Sequence, residues 1–209
     1  MEQKAIYEKL AEKIGEGALG FLEEGPEPVA DIAPAKIAEA AQFLRDEAGL
    51  QFNQLMCLSG IDWDGFDEAG KGKSVAILGY DEGGQPESSD RVGEGDLGVV
   101  YHLYSHEQKH KFTLRVRVPR ANPALPSVAG VWSTAGWHER EAYDLVGLTF
   151  AGHPDLRRIL LEEGWEGHPL RKDYVMPSRW GNVPLDGKDL AKNPFPATEP
   201  EAPSAPTED

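Results

Sequence analysis

The chain of 209 residues carries 36 acidic against 21 basic side chains, a formal charge of −15. This excludes nucleic acid as an expected partner, since phosphate neutralisation needs a basic surface, and disfavours adhesion to anionic lipid. With 40% hydrophobic and 27% charged residues the composition is globular, and the single cysteine, Cys57, excludes an internal disulfide or a four-thiolate iron–sulfur cluster held by this chain alone.

Residues 3–15 place Ile6, Leu10 and Ile14 four apart, which predicts an amphipathic helix. No charged-then-apolar leader precedes it, so the chain is expected to be cytoplasmic. An acidic, Pro-containing loop, Glu23–Pro28, follows. Pro34 then stands where a first helical residue would, and Ile37, Ala41 and Leu44 extend a second helix over about 34–47. The segment Gln51–Ile61 reads as a strand, with Cys57 expected to be a buried, inert thiol in the apolar run Leu55-Met56-Cys57-Leu58. Ser74–Tyr80 reads as another strand. Around it, residues 62–96 hold ten acidic against three basic side chains and predict solvated loops.

Leu97–Ser105 and Lys111–Pro119 read as an antiparallel hairpin joined by a polar linker. In its second strand Phe112, Leu114, Val116 and Val118 alternate with Thr113, Arg115 and Arg117, which predicts one buried face and one wet face. Ser127, after Pro123 and Pro126, is placed to cap a helix beginning near Val128. No apolar stretch approaches the ~20 residues of a transmembrane segment. Residues 191–209 contain five prolines and four acidic residues against one lysine, the composition of a disordered tail or of an arm laid on a partner. The predicted fold is α+β: a mainly antiparallel sheet of about four strands flanked by N-terminal helices, followed by a helix and an extended C-terminal arm. Its expected divisions are 1–126, 127–177 and a Pro-rich acidic tail, 178–209.

The densest interleaving of charge and aromatics is Trp137–Gly147. As a helix it places Trp137, Glu141 and Asp144 on one side, puts Arg140 within a turn of both Trp137 and Asp144, and offers Gly147 as its C-cap. His138-Glu139 lacks the second histidine of a zinc-peptidase helix, because Ala142 occupies that position. His138, His153 and His168 are spaced by fifteen, which has no helical or hairpin meaning, so a metal site is not expected. Arg157-Arg158 and Arg171-Lys172 could fork onto phosphate, yet no glycine-rich nucleotide loop precedes either pair. The remaining reading is a set of fixed ion pairs that hold neighbouring segments in register.

The run Glu139-Arg140-Glu141, Tyr143-Asp144, Gly147, Phe150, Gly152-His153-Pro154-Asp155-Leu156-Arg157-Arg158-Ile159-Leu160 and Gly167-His168-Pro169-Leu170-Arg171-Lys172-Asp173-Tyr174 resembles, in order and spacing, the signature of the thirty-kilodalton (C-type) subunit family of respiratory complex I, the NADH-quinone oxidoreductase. Val99–Leu103, Arg115–Val118 and Pro126-Ser127 follow the same family's pattern, so the likeness extends over roughly 40–177. It departs at His138, where the family commonly has an apolar residue, and at Val175-Met176, which precede Pro177 where the family has a proline directly after the aromatic.

The resemblance implies a structural subunit without a redox centre in the hydrophilic arm of a proton-translocating NADH:quinone oxidoreductase. Such a subunit sits on the cytoplasmic side of the bacterial inner membrane, peripheral through the complex. FMN, the iron–sulfur clusters and quinone would belong to other subunits, with the forty-nine-kilodalton (D-type) subunit and neighbouring iron–sulfur subunits as partners. No catalytic, cofactor-binding or metal residue is expected. Glu139, Arg140, Glu141, Tyr143, Asp144, Gly147, His153, Pro154, Asp155, Arg157, Arg158, Arg171, Lys172 and Asp173 are the expected interface and signature residues. The same fold serves the equivalent subunit of membrane-bound hydrogenases and of quinone oxidoreductases with donors other than NADH, which is the alternative reading.

Overall fold

The computed structural model describes residues 2–23, 27–63, 95–177, 179–180 and 183–184. Helix α1 (Gln3–Ile14) buries Ile6, Leu10 and Ile14, the residues its four-residue spacing selects, and ends at Gly15. After a 3-10 turn come β1 (Ala18–Leu22) and β2 (Val29–Ile32), an antiparallel pair. Pro34 opens a further 3-10 turn that leads into α2 (Ile37–Asp46), whose buried face is Ile37, Ala40, Ala41 and Leu44. Three nine-residue strands follow: β3 (Gln54–Asp62), β4 (Leu97–Ser105) and β5 (His110–Val118). The expected strand Ser74–Tyr80 lies outside the described residues.

These strands form a five-stranded sheet in the order β1-β2-β5-β4-β3. All its pairings are antiparallel except β2 with β5, which is parallel. Among the described residues the sheet thus has five strands, where about four are expected. Both β1 and β2 escape sequence reading because Ala-Leu-Gly-Phe-Leu and Val-Ala-Asp-Ile are too short to establish a period. The β4–β5 hairpin pairs Leu97 with Val118 through to Ser105 with His110.

Phe112, Leu114, Val116 and Val118 are buried as their alternation predicts, and each such side chain contributes roughly 1.5–3 kcal/mol on leaving water. The opposite face of β5 is not wet. Thr113 and Arg115 are buried, Arg115 forks onto Asp31 of β2 at 2.5 and 2.7 Å, and the Trp63 ring lies over the guanidinium groups of Arg115 and Arg117 at 5.3 and 4.6 Å. The Asp31 side chain of the neighbouring strand β2 and the Trp63 ring just past β3 thus partner the side chains that alternation alone assigns to solvent.

Cys57 is likewise half-exposed and not buried, with Sγ 3.3 Å from Ser59 Oγ. The register of β3 against β4 slips between Leu55 and Cys57. The bulge advances the inward positions from Leu55 to Leu58, so the intervening thiol turns outward.

Beyond the hairpin, β6 (Ala124–Pro126) pairs in parallel with β7 (Thr149–Ala151), and α3 (Ala135–Val146) lies between them in sequence. No helix starts at Val128. Ser127 Oγ accepts the Ala129 N–H at 3.1 Å, and Val128 O receives the N–H groups of Val131 and Trp132, but this turn is followed by a second, closed by Ala135 N–H on Trp132 O, before α3 opens at Ala135. Val128 N–H is taken by the side chain of Glu139, which fixes the segment as a turn folded back on α3. The described residues divide into two compact units, one running to Val175 and the other starting at Met176. In the second, β8 (Arg179–Trp180) and β9 (Val183–Pro184) pair antiparallel. The rest of the acidic tail lies outside the described residues.

Candidate functional site

Helix α3 packs against β3, and the contact is close because Gly60 lacks a side chain. A Cβ there would lie 3.1–3.2 Å from Ala142, Val146 and Leu148. The helix ends as predicted at Gly147, in the left-handed region at φ 77°, with its N–H returned to Ala142 O and Tyr143 O. Its buried residues include three ionisable groups, Glu139, Arg140 and Asp144. Buried charge persists only where it is fully partnered: Arg140 and Asp144 are both bonded to residues 157–161, and Glu139 is bonded to Ser127 and Val128.

Asp144 is the centre of the arrangement. Its Oδ2 accepts the backbone N–H groups of Ile159, Leu160 and Leu161 at 3.0, 2.7 and 2.8 Å, and its Oδ1 accepts Arg158 Nη1 at 2.8 Å. Burial alone would push this carboxyl upward, but three backbone donors and a guanidinium outweigh it, and the net direction is below the ordinary 3.8. Arg158 spends its other donors on Asp144 O, Trp165 O and Gly167 O. Arg140 donates to the carbonyls of Arg157 and Arg158, both at 3.1 Å, and its guanidinium lies 5.3 Å from the Trp137 ring centroid.

Glu139 faces the opposite way. It accepts Ser127 Oγ at 2.6 Å and Val128 N–H at 2.7 Å, and burial pushes its carboxyl above the ordinary 4.5 despite those bonds. His153 Nδ1 accepts the Asp155 N–H at 3.0 Å, so its Nε2 carries the proton and donates to Gly136 O at 3.0 Å. His168 Nδ1 bonds Asp144 O at 2.8 Å, and burial, the largest influence on it, lowers this histidine. Arg171 closes the end of α3 by donating to Val146 O at 2.6 Å and Gly147 O at 3.3 Å. These bonds complement the carbonyl end of the helix.

The structure thus brings Glu139, Arg140, Asp144, Gly147, His153, Arg158 and Arg171 into one network that pins residues 153–171 along α3. Trp137, Glu141 and Asp144 fall on one side of α3 as their spacing predicts, but Trp137 and Glu141 are exposed there while Asp144 is buried beneath the arm that it bonds. Pro154 is exposed, Tyr143 is half-buried, and Asp155 and Arg157 form an exposed pair at 2.9 Å. Lys172 contributes its backbone N–H to Asp62 Oδ2 at 2.8 Å, and Asp173 pairs with Arg120 at 3.1 Å. Asp62, at the end of β3, also bonds Arg120. Sequence reasoning missed Asp62 and Arg120, which tie the far end of the arm back to the sheet. The only signal for them is an isolated acid ending a strand and an arginine following a proline, neither of which is specific.

Among the described residues no three His, Cys, Asp or Glu side chains converge as a metal site, and no helix is long and apolar enough to cross a membrane. The bonds of the network join α3 to the turn at residues 127–128 and to residues 157–171. Its chemistry is that of a staple.

Residues 30–179 match the model of the 30 Kd subunit of respiratory-chain NADH dehydrogenase, a span that contains the sheet from β2 onward and the whole stapled arm. The chain belongs to that family. It is 39% identical to the C subunit of the NADH-quinone oxidoreductase of Chloroherpeton thalassium, over 80% of this chain and 59% of that one. It is 38% identical to the corresponding C subunit of Chlorobium phaeobacteroides, over 86% of this chain and 92% of that one. Among solved structures it resembles the trypsin-resistant fragment (1-134) of Nqo5, with a TM-score of 0.52 and 26% identity, over 75% of this chain and all of the fragment. As a family member the chain is matched over α3 and the arm that follows it.

Proposed function

We propose that the chain is the thirty-kilodalton-type structural subunit of a proton-translocating NADH:quinone oxidoreductase. In this reading it carries no catalytic centre and sits in the hydrophilic arm on the cytoplasmic side of a bacterial membrane, against the forty-nine-kilodalton-type subunit and neighbouring iron–sulfur subunits. FMN, the clusters and quinone are held by those other subunits. The observation that carries the reading is that the family match covers a segment, residues 153–173, which has almost no core of its own and is held in place by Asp144, Arg158, Arg140, Arg171 and Asp62. A chain invests buried charge in this way when the outer surface of the segment must keep a fixed shape. Electron transfer between centres depends on fixed distances, and a rigid neighbour maintains them.

The signature residues then divide by role. Arg140, Asp144, Gly147, His153, Arg158 and Arg171 shape the arm from within and Glu139 holds the turn at Ser127 and Val128, whereas Pro154, Asp155, Arg157, Lys172 and Asp173 are exposed on the arm and Glu141 on α3, with Tyr143 half-buried. Deleting the gene in its native host tests the proposal. Membranes of the deletion strain should lose NADH:quinone oxidoreduction and recover it on complementation. Retained NADH activity with loss of hydrogen-linked reduction, or of quinone reduction by another donor, would favour the alternative complex.

A further inference from the structure

Beside the close contact at Gly60, β3 and α3 separate into a groove of about 140 Å³ lined by Leu58, Gly60, Ala142, Leu145 and Leu170, with Glu141 at its rim. Roughly this volume accepts one benzene-sized group. Trp137, Glu141 and Leu145 succeed one another at four-residue spacing, so they form one stripe along α3 that runs into the groove. The Leu170 N–H donates to Leu145 O at 3.0 Å, which sets Leu170 against the end of that stripe. Trp137 is 63% and Leu170 56% exposed. The Trp137 ring is held by the Arg140 guanidinium, itself fixed to the arm, so its position is preset. A preset, exposed tryptophan is a typical anchor of a protein interface. Between the two apolar groups Glu141 is exposed and, among the described residues, has no hydrogen-bond or ion-pair partner.

We infer that this stripe and groove receive a segment of another subunit that presents one apolar side chain to the groove and, beside it, a lysine or arginine to Glu141. The inference rests on the reading of this chain as a subunit and adds where and with what chemistry a partner docks. Charge selects the occupant. A second copy of this chain would bring another surface from a molecule of net charge −15. The chain's own tail, with four acids and one lysine in residues 191–209, likewise offers Glu141 little. A basic side chain flanked by an apolar one satisfies both the carboxylate and the groove, and such complementarity sets register and partner choice.

The test uses the full-length tagged chain expressed in its native host and recovered from membranes. Glu141→Arg should retain the isolated chain's melting temperature and reduce co-purifying subunits by roughly tenfold, the scale of a reversed interfacial charge. Glu141→Gln should reduce them less and should flatten the dependence of complex retention on salt, which a purely steric role would not do. A photo-crosslinking residue at position 170 should capture a peptide of a different subunit with a lysine or arginine adjacent to its apolar contact.

Crosslinks confined to a second copy or to residues 64–94 or 178–209 of the same chain would overturn the inference. So would wild-type recovery and salt dependence in both Glu141 variants. If the wild-type chain itself recovers no respiratory subunits, the subunit reading fails and this inference with it. If it recovers them while the variants behave as wild type, only the docking inference fails.

Discussion

Asp144 Oδ2 accepts three successive backbone N–H groups, the shortest from Leu160 at 2.7 Å, so one carboxylate oxygen in the last turns of α3 orders a loop that begins fifteen residues later. With Arg158 on its other oxygen, Asp144 holds the arm in a single arrangement. Asp144→Ala would strand these donors and an inward-facing guanidinium, and the expected cost is about 3–5 kcal/mol. Chemical denaturation of the purified variant measures it. A loss below about 1 kcal/mol would show that the carboxylate is not the organising group.

Arg158→Ala removes the same pair from the other side and also vacates the carbonyls of Trp165 and Gly167. Arg158→Lys keeps the charge but cannot reach several acceptors with one planar fork, so its stability should fall between wild type and alanine. Protease sensitivity of the arm, followed by mass spectrometry, should rise in the same order. Equal protection of all three proteins would contradict the role assigned to the guanidinium.

Gly147→Ala is expected to be destabilising for two separate reasons. The left-handed backbone at φ 77° costs an L-residue about 1–2 kcal/mol, and the added Cβ would fall on the Arg171 guanidinium and the His168 ring. The helix end and the arm should loosen together. Hydrogen exchange should therefore increase both in the last turn of α3 and near residues 168–171, and an increase confined to the helix would separate the two effects.

The two buried carboxylates of α3 respond to pH with opposite sign. Burial raises Glu139 above 4.5 in the folded chain, so its contribution to stability is fully present below 4.5 and is lost as pH rises through the folded value. For Asp144 the donors overcome burial and lower it below 3.8, so its contribution is fully present above 3.8 and is lost as pH falls through the folded value. Denaturation midpoints measured against pH should show Asp144→Asn with a shallower acid limb below 3.8. Glu139→Gln should instead be shallower above 4.5. An acid limb unchanged in Asp144→Asn would refute the assignment.

Val116→Asp should abolish folding, because Val116 is fully buried opposite Val99 in the middle of the sheet, on the apolar face it shares with Leu114 and Val118. Circular dichroism of the expressed variant checks this, and a soluble variant with a wild-type melt would show the register to be wrong.

That hairpin was legible because two long strands each repeat their apolar positions often enough to define a period, and the buried set on β5 matches. Arg115 is not on a wet face, for a reason alternation cannot encode: its partner depends on β2 arriving in parallel beside β5, which sets Asp31 across from it. Cys57 illustrates a related limit, since one extra residue in β3 reverses the sidedness of the residues after it. On α3 the C-cap at Gly147 and the contact of Arg140 with Trp137 were readable from spacing. The bond between Asp144 and residues 159–161 was not, because it requires the chain to turn back along the helix. The helix expected near Val128 is a turn instead, and the Glu139 carboxylate that ties its first N–H to α3 comes from eleven residues on, a contact that local spacing does not reveal.

That this chain holds its place in a respiratory NADH:quinone oxidoreductase by means of the stapled arm is tested most directly by affinity purification of the tagged chain from native membranes, with identification and quantification of the co-purifying subunits. The expected result is recovery of the forty-nine-kilodalton-type, iron–sulfur and NADH-binding subunits in fixed stoichiometry, and their loss when Asp144→Ala releases the arm. Recovery of the chain alone, or undiminished recovery of the whole complex with Asp144→Ala, would contradict it.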